Sequence, residues 1–254
     1  MARTLVITGS ASGIGKATAA LAEERGCKVI RVDLKEGDVK VDLATPAGRR
    51  ALVEGVNELS GGKIDALIAC AGVAVYTPLT LQVNYFGAIA TLEGLRPFLA
   101  KGDTPRAVGV TSFASIMPSD PELVETLLKG DEAAALEMAP SKDPSVYYSS
   151  SKAAFARWMR RHSTSQEWVG AGILLNGVGP GMVVTPMTEA YVKDPVVRRS
   201  LDPAMPMPIG RDARPEEIGE LLYWLSSPAN SMMVGQIIFI DGGADATIRG
   251  DSTW

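Results

Sequence analysis

Thr4-Leu5-Val6-Ile7-Thr8-Gly9-Ser10-Ala11-Ser12-Gly13-Ile14-Gly15-Lys16-Ala17-Thr18-Ala19 decides how the rest of the chain is read. The apolar run Thr4–Ile7 reads as a short buried strand, and the residues from Lys16 to Glu24 have helix-forming composition. Gly9, Gly13 and Gly15 lie between them. Glycines between a strand and a helix N-terminus let the backbone approach a pyrophosphate, while the free helical N–H groups and the dipole hold the anion. Such a loop can also join a strand to a helix for steric reasons alone, so by itself it is a weak signal.

Outward from this loop, short apolar runs alternate with helical patterns. The runs are Thr4–Ile7, Lys28–Val32, Ala66–Ala69, Ala107–Thr111, Ile173–Val178 and Gln236–Ile240; helical periodicity marks Gly48–Leu59 and Glu216–Leu225 among the segments between them. Strands apolar on both faces and alternating with helices indicate a parallel sheet covered on two sides. The expected fold is therefore α/β: a doubly wound parallel sheet of the Rossmann kind, helices on both faces, one domain over residues 1–254. Two segments interrupt the alternation. Residues 118–145 combine proline and acidic residues with helical stretches at Glu122–Lys129 and Glu132–Met138 and read as an insertion. Residues 186–208 carry Pro195, Pro203, Pro206 and Pro208 with Met187, Met205 and Met207, and read as a substrate loop.

Composition excludes several classes of function. A net charge of −4 offers no electrostatic reason to expect nucleic acid or an anionic membrane as partner. Arg157, Arg160 and Arg161 form the most basic cluster and read as a solvated helix face. Cys27 and Cys70 make neither a disulfide framework nor a metal motif, and the single histidine, His162, reads as a surface residue. The chain runs from Met1 straight into a strand without a signal-peptide pattern, and no apolar run reaches the roughly 20 residues that span a bilayer. These features lead us to expect a cytoplasmic protein.

Tyr148-Ser149-Ser150-Ser151-Lys152 places a phenol and an ammonium on one helical face, one turn apart. A nearby positive charge favours phenolate, so the spacing predicts a tyrosine with lowered pKa, suited to general acid/base work. The pattern alone occurs by chance. Here it follows a strand ending in Thr111-Ser112, whose hydroxyl could bond a carbonyl oxygen. Ser115 is a second candidate for substrate contact.

With these motifs in order, the chain resembles the short-chain dehydrogenase/reductase family over nearly its whole length, and within it the bacterial 3α-hydroxysteroid dehydrogenase/carbonyl reductases. The resemblance implies a catalytic set of Ser112, Tyr148 and Lys152, with Asn84 supporting a proton relay to the lysine. It implies cofactor contacts at Gly9, Ser12, Gly13, Ile14, Gly15, Asp33, Leu34, Asp42, Leu43, Ala71, Gly72, Tyr148 and Lys152. Further contacts are implied at Pro180, Gly181, Val183 and Thr185. Where the family usually has Asn-Asn-Ala-Gly, this chain has Ala69-Cys70-Ala71-Gly72, and Cys70 reads as a packing residue.

Asp33 ends the second strand, just after the run Lys28–Val32, where a carboxylate accepts from both ribose hydroxyls and repels a 2′-phosphate; NAD is therefore expected, with NADP less favoured. Arg31 and Lys35 are the residues that could instead lean toward a phosphate. Asp42 is implied to contact the adenine amino group, its alternative role being a charge at a helix N-terminus. The expected reaction is hydride transfer between nicotinamide and a bulky apolar secondary alcohol or its ketone, alicyclic, aromatic or steroid-like. Alternatives are an NADPH-dependent carbonyl reductase and, more remotely, a non-catalytic NAD-binding regulator. The long Ser112–Tyr148 spacing falls where many relatives pair helices into tetramers, so a homo-oligomer is expected, a dimer rather than a tetramer.

Overall fold

Val6 and Ile7 are adjacent in sequence, yet their side chains enter two different cores: Val6 packs with Ile30, Leu52 and Leu92, and Ile7 with Ala19, Ile68 and Ile218. A strand buried on both faces requires a layer of helices on each side. The computed structural model describes residues 2–194, 196 and 205–252, so Pro195 and Pro203 lie outside the described residues.

The chain begins with β1 (Thr4–Thr8), α1 (Gly13–Glu24), β2 (Lys28–Asp33), β3 (Val39–Lys40), α2 (Pro46–Ser60) and β4 (Ala66–Ala69). Next come α3 (Leu79–Leu81), a π-helical turn over Gln82–Gly87, α4 (Ala88–Leu99) and β5 (Arg106–Val110). A 3-10 turn at Phe113–Ile116 leads to α5 (Pro121–Leu128), α6 (Glu132–Met138) and α7 (Tyr147–His162). The chain continues through β6 (Leu174–Pro180), α8 (Glu189–Lys193), α9 (Pro215–Ser226), β7 (Ile237–Ile240) and α10 (Ala244–Arg249).

Among the described residues seven strands pair in parallel in the order β3-β2-β1-β4-β5-β6-β7. The direction of winding reverses between β1 and β4, which opens a crevice above their carboxyl ends. One core lies beneath α2, α4 and α7, containing Leu52, Leu95, Phe155 and Met159. The other lies beneath α1 and α9, containing Ala19, Ile218, Leu222 and Leu225. The helix starts are fixed locally. Thr45 Oγ1 accepts from Gly48 N at 3.0 Å with Pro46 in the first turn of α2, and Asp120 Oδ1 accepts from Leu123 N at 2.8 Å to begin α5.

The structure adds one strand to the six expected from the sequence. β3 has only two residues and pairs only with the end of β2, too short to show a period. Ile173, Gln236 and the Thr111-Ser112 pair lie just outside their strands. His162 is half-buried rather than on the surface: its ring stacks on Trp158 with centroids 4.2 Å apart. Within 118–145, Leu123, Val124, Leu127 and Ala135 enter the main core, so this segment is integral to it. Among the described residues no helix is long and apolar enough to cross a membrane.

Candidate active site

The turn between β1 and α1 is closed so tightly that two of its glycines admit no side chain. Gly9 has φ +70°, and a Cβ there would lie 2.8 Å from Ala71 Cα; at Gly15 a Cβ would lie 2.2 Å from Gly9 O. Thr8 Oγ1 accepts from both Cys70 N and Ala71 N at 3.1 Å, tying the end of β1 to the end of β4. Ser12 leads α1 without capping it through its side chain, and the first turn carries no acidic residue. The helix start therefore keeps its N–H groups and positive dipole end free for an anion. Ser12, Gly13, Ile14 and Gly15 line a cavity of about 600 Å³ that runs along the crevice.

One end of the cavity is formed by Asp33, Leu34, Asp42 and Leu43. The Asp33 carboxylate accepts from Ala11 N and Lys35 N, each at 3.1 Å, which fixes it at the mouth of β2. Arg31 is turned away: its guanidinium meets Glu23 in a two-pronged contact at 2.8 and 2.7 Å, which holds Glu23 below and Arg31 above their ordinary pKa values. Lys35 and Glu36 both line the cavity, so its wall carries one charge of each sign there. Asp42 lines the cavity and its Oδ1 also accepts from Ala44 N at 2.9 Å, a turn just before α2; both roles raised by the sequence are geometrically open to it.

At the other end the cavity meets Ser112, Tyr148 and Lys152. Ser112 is held at the start of its 3-10 turn, where Oγ accepts from Ala114 N at 3.1 Å. Lys152 is 4% exposed, donates from Nζ to Val110 O at 3.0 Å, and stands 5.8 Å from the centroid of the Tyr148 ring. Burial dominates the titration of this pair. It pushes Lys152 down to about 8 and raises the Tyr148 phenol, an effect the Ser112 hydroxyl partly opposes. This corrects the sequence expectation of a phenol lowered by its lysine, because burial penalises the charged phenolate. Cys70 also lines the cavity, and burial pushes its thiol up to about 12, so it stays protonated and packs.

Asn84 is buried and does not line the cavity. Its Oδ1 accepts from Val73 N at 2.8 Å, and its Nδ2 donates to Val73 O at 2.9 Å and Ser151 Oγ at 3.3 Å. The side chain thus braces the loop after β4 against α7. Pro180, Gly181, Val183 and Thr185 line the cavity beyond β6. Sequence reasoning missed Thr188, whose Oγ1 donates to Val183 O and accepts from Thr185 N at 3.0 Å. The Thr185-x-x-Thr188 spacing, suited to a hydroxyl-closed turn, is the signal that could have found it. Ala71 and Gly72 complete the wall above β4.

An uncapped helix start beside two glycines that admit no side chain, a carboxylate at one end of the cavity and a phenol at the other fit a nicotinamide dinucleotide. Comparison with known proteins agrees with that fit. The short chain dehydrogenase family matches residues 3–122, and the family described as enoyl-(acyl carrier protein) reductase matches residues 132–245. The chain is 35% identical to 3-alpha-hydroxysteroid dehydrogenase/carbonyl reductase of Comamonas testosteroni, covering 96% of this chain and 97% of that one. It is 32% identical to cis-4-hydroxycyclohexanecarboxylate dehydrogenase of Sinomonas cyclohexanicum, covering 96% and 97%. The structure superposes on the 3-alpha-hydroxysteroid dehydrogenase of Pseudomonas sp. B-0831 complexed with NADH, with TM-score 0.91 and 40% identity over 98% and 99% of the two chains.

Proposed function

Because the chain belongs to the short-chain dehydrogenase/reductase family, whose members are oxidoreductases using a nicotinamide cofactor, we propose that it is an NAD-dependent dehydrogenase. Its substrate in this reading is a bulky apolar secondary alcohol, or the matching ketone in reverse. The single observation that carries the reading is the convergence of Ser112, Tyr148 and Lys152 at one end of the cavity that the β1–α1 turn lines. Asp33 supports NAD over NADP: its fixed carboxylate suits two ribose hydroxyls and opposes a 2′-phosphate. Arg31, committed to Glu23, does not welcome that phosphate.

Bound nicotinamide would supply the hydride acceptor or donor at its C4. Tyr148 takes the carbinol proton in oxidation and returns it in reduction, the phenol form favoured by burial being the one ready to donate. Ser112 Oγ positions the substrate oxygen. Lys152, held by Val110 O, holds the nicotinamide ribose and, when protonated, stabilises the phenolate. Asn84 positions the loop after β4 and supports proton exchange with Lys152. Gly9, Ser12, Gly13, Ile14 and Gly15 hold the pyrophosphate. Leu34, Asp42, Leu43, Ala71 and Gly72 hold the adenosine, while Pro180, Gly181, Val183 and Thr185 hold the carboxamide.

Two alicyclic substrate classes in the relatives' names, a hydroxysteroid and a hydroxycyclohexanecarboxylate, support a ring-bearing alcohol. So does the adaptable apolar wall at Pro186 and Met187, since a thioether fills irregular shapes. The reading includes a homo-oligomer, a dimer rather than a tetramer, because α5 packs across α7; a tetramer by light scattering would remove that element. Absorbance at the NADH band over a panel of alicyclic, aromatic and steroid alcohols and ketones tests the whole. Activity is expected with NAD(H), and Tyr148→Phe is expected to lose about 10²–10⁴-fold in kcat. Full turnover by that variant would overturn the acid/base role of Tyr148.

A further inference from the structure

Arg49 is a long charged side chain on α2, yet it is only 11% exposed and every nitrogen of its guanidinium is engaged. Nε donates to Leu43 O at 2.7 Å, and Nη2 donates to Ala44 O at 3.2 Å and Gln82 O at 3.1 Å. Nη1 and Nη2 meet the two Glu132 oxygens at 2.6 and 2.8 Å, and the group lies 5.9 Å from the centre of the Phe86 ring. These partners belong to three separate pieces of chain. Leu43 and Ala44 form the turn that carries Asp42 at the cavity wall; Gln82 opens the π-helical turn that contains Val83 and Asn84; Glu132 begins α6, in the long segment between Ser112 and Tyr148.

We propose that Arg49 is a positioning residue through which α6 holds the adenosine end of the cofactor cavity in shape. The inference rests on the reading that the Asp33–Leu43 end of the cavity receives adenosine. Three carbonyl oxygens pointing at one place repel one another unless a cation answers them, and only a planar fork satisfies them and a carboxylate together. Glu132 orients the fork from the outside, so the segment between Ser112 and Tyr148 acts on a region far from the reacting atoms. A lysine at position 49 keeps the charge but offers a single nitrogen, and cannot bridge carbonyls and carboxylate in this arrangement.

The test compares wild type, Arg49→Lys and Glu132→Gln by titration calorimetry with NADH, ADP-ribose and reduced nicotinamide mononucleotide. Amide hydrogen exchange over residues 42–45 is measured without ligand. The expected result for Arg49→Lys is about tenfold weaker binding of NADH and ADP-ribose, faster exchange at 42–45, and unchanged binding of the mononucleotide. Glu132→Gln, which preserves size, is expected to show the same pattern at about threefold. At saturating NADH both variants keep wild-type kcat, which separates positioning of the adenosine end from general loss of structure. Wild-type ADP-ribose affinity in both variants, or equal weakening of all three ligands, would overturn the inference while leaving the proposed function intact. Failure of the wild type itself to bind NADH or ADP-ribose would overturn both.

Discussion

Replacing Lys152 by methionine should make the protein more stable at neutral pH while removing its chemistry. The buried Lys152 Nζ donates to Val110 O, and burial lowers its pKa from 10.5 to about 8. At about 1.4 kcal/mol for each tenfold change in proton affinity, holding the charged form inside the fold costs roughly 3 kcal/mol. The folded value lies below the unfolded one. Between pH 8 and 10.5 the unfolded chain therefore carries a proton that the folded chain lacks, and stability rises with pH across that window. Below about 8 the penalty is complete. Methionine matches the apolar stem and carries no charge, but leaves Val110 O without its donor, a loss of about 1 kcal/mol. The net gain at pH 7 is about 2 kcal/mol, or roughly 4–8 °C in Tm for a chain of this size. Thermal unfolding followed by circular dichroism, without cofactor, at pH 7 and pH 9.5 checks both magnitude and sign. The difference between variant and wild type should shrink at the higher pH. A variant less stable at pH 7, or a difference that does not change with pH, would refute the account of Lys152 as a charge retained in the core against stability.

Three further outcomes follow from particular contacts. Asp33→Ala should weaken NAD binding by about 10- to 100-fold, the worth of one or two charge-assisted hydrogen bonds, and narrow the preference over NADP; paired affinity measurements check it, and tighter NADP binding by the wild type would reverse the cofactor assignment. Gly15→Ala forces a Cβ to within 2.2 Å of Gly9 O, so the turn must open; a loss of about 1–3 kcal/mol by urea unfolding, together with loss of NADH binding, is expected. Ser112→Ala should lower kcat by about 10²-fold with cofactor affinity unchanged, because its hydroxyl acts on the substrate oxygen and its structural bond to Ala114 N is peripheral to the cofactor. Steady-state kinetics beside a direct NADH titration separates the two effects.

The alternation of two-faced apolar runs with helical stretches made the parallel sheet legible in the sequence, because burial on both faces leaves a continuous pattern that local reading can detect. β1 and α1 came with a loop whose glycines have a geometric purpose visible from spacing alone. The boundaries of α6 were legible to the residue, since Asp131 caps its start and Ala134 N bonds that cap. β3 was not, because two residues cannot carry a period. Neither were the partners of Asn84 and Arg49: Val73, Ser151, Gln82 and Glu132 lie 11, 67, 33 and 83 positions away from them, and only the folded chain brings these groups together.

Tyr148 and Lys152 show where the division falls. Their spacing of four on one helix is a property of sequence, and it places both side chains on one face of α7, a turn apart, whatever surrounds them. Their titration is a property of the tertiary structure. Burial in the folded chain lowers the lysine and raises the phenol, while Ser112, brought to the pair by the turn after β5, partly opposes the rise. The sequence by itself determined the sheet, the glycine turn and the family. Only the tertiary structure decided which charges are exposed to water, which are answered by carbonyls, and therefore which protonation states the cavity contains, because solvation is set by atoms that sequence distance does not relate.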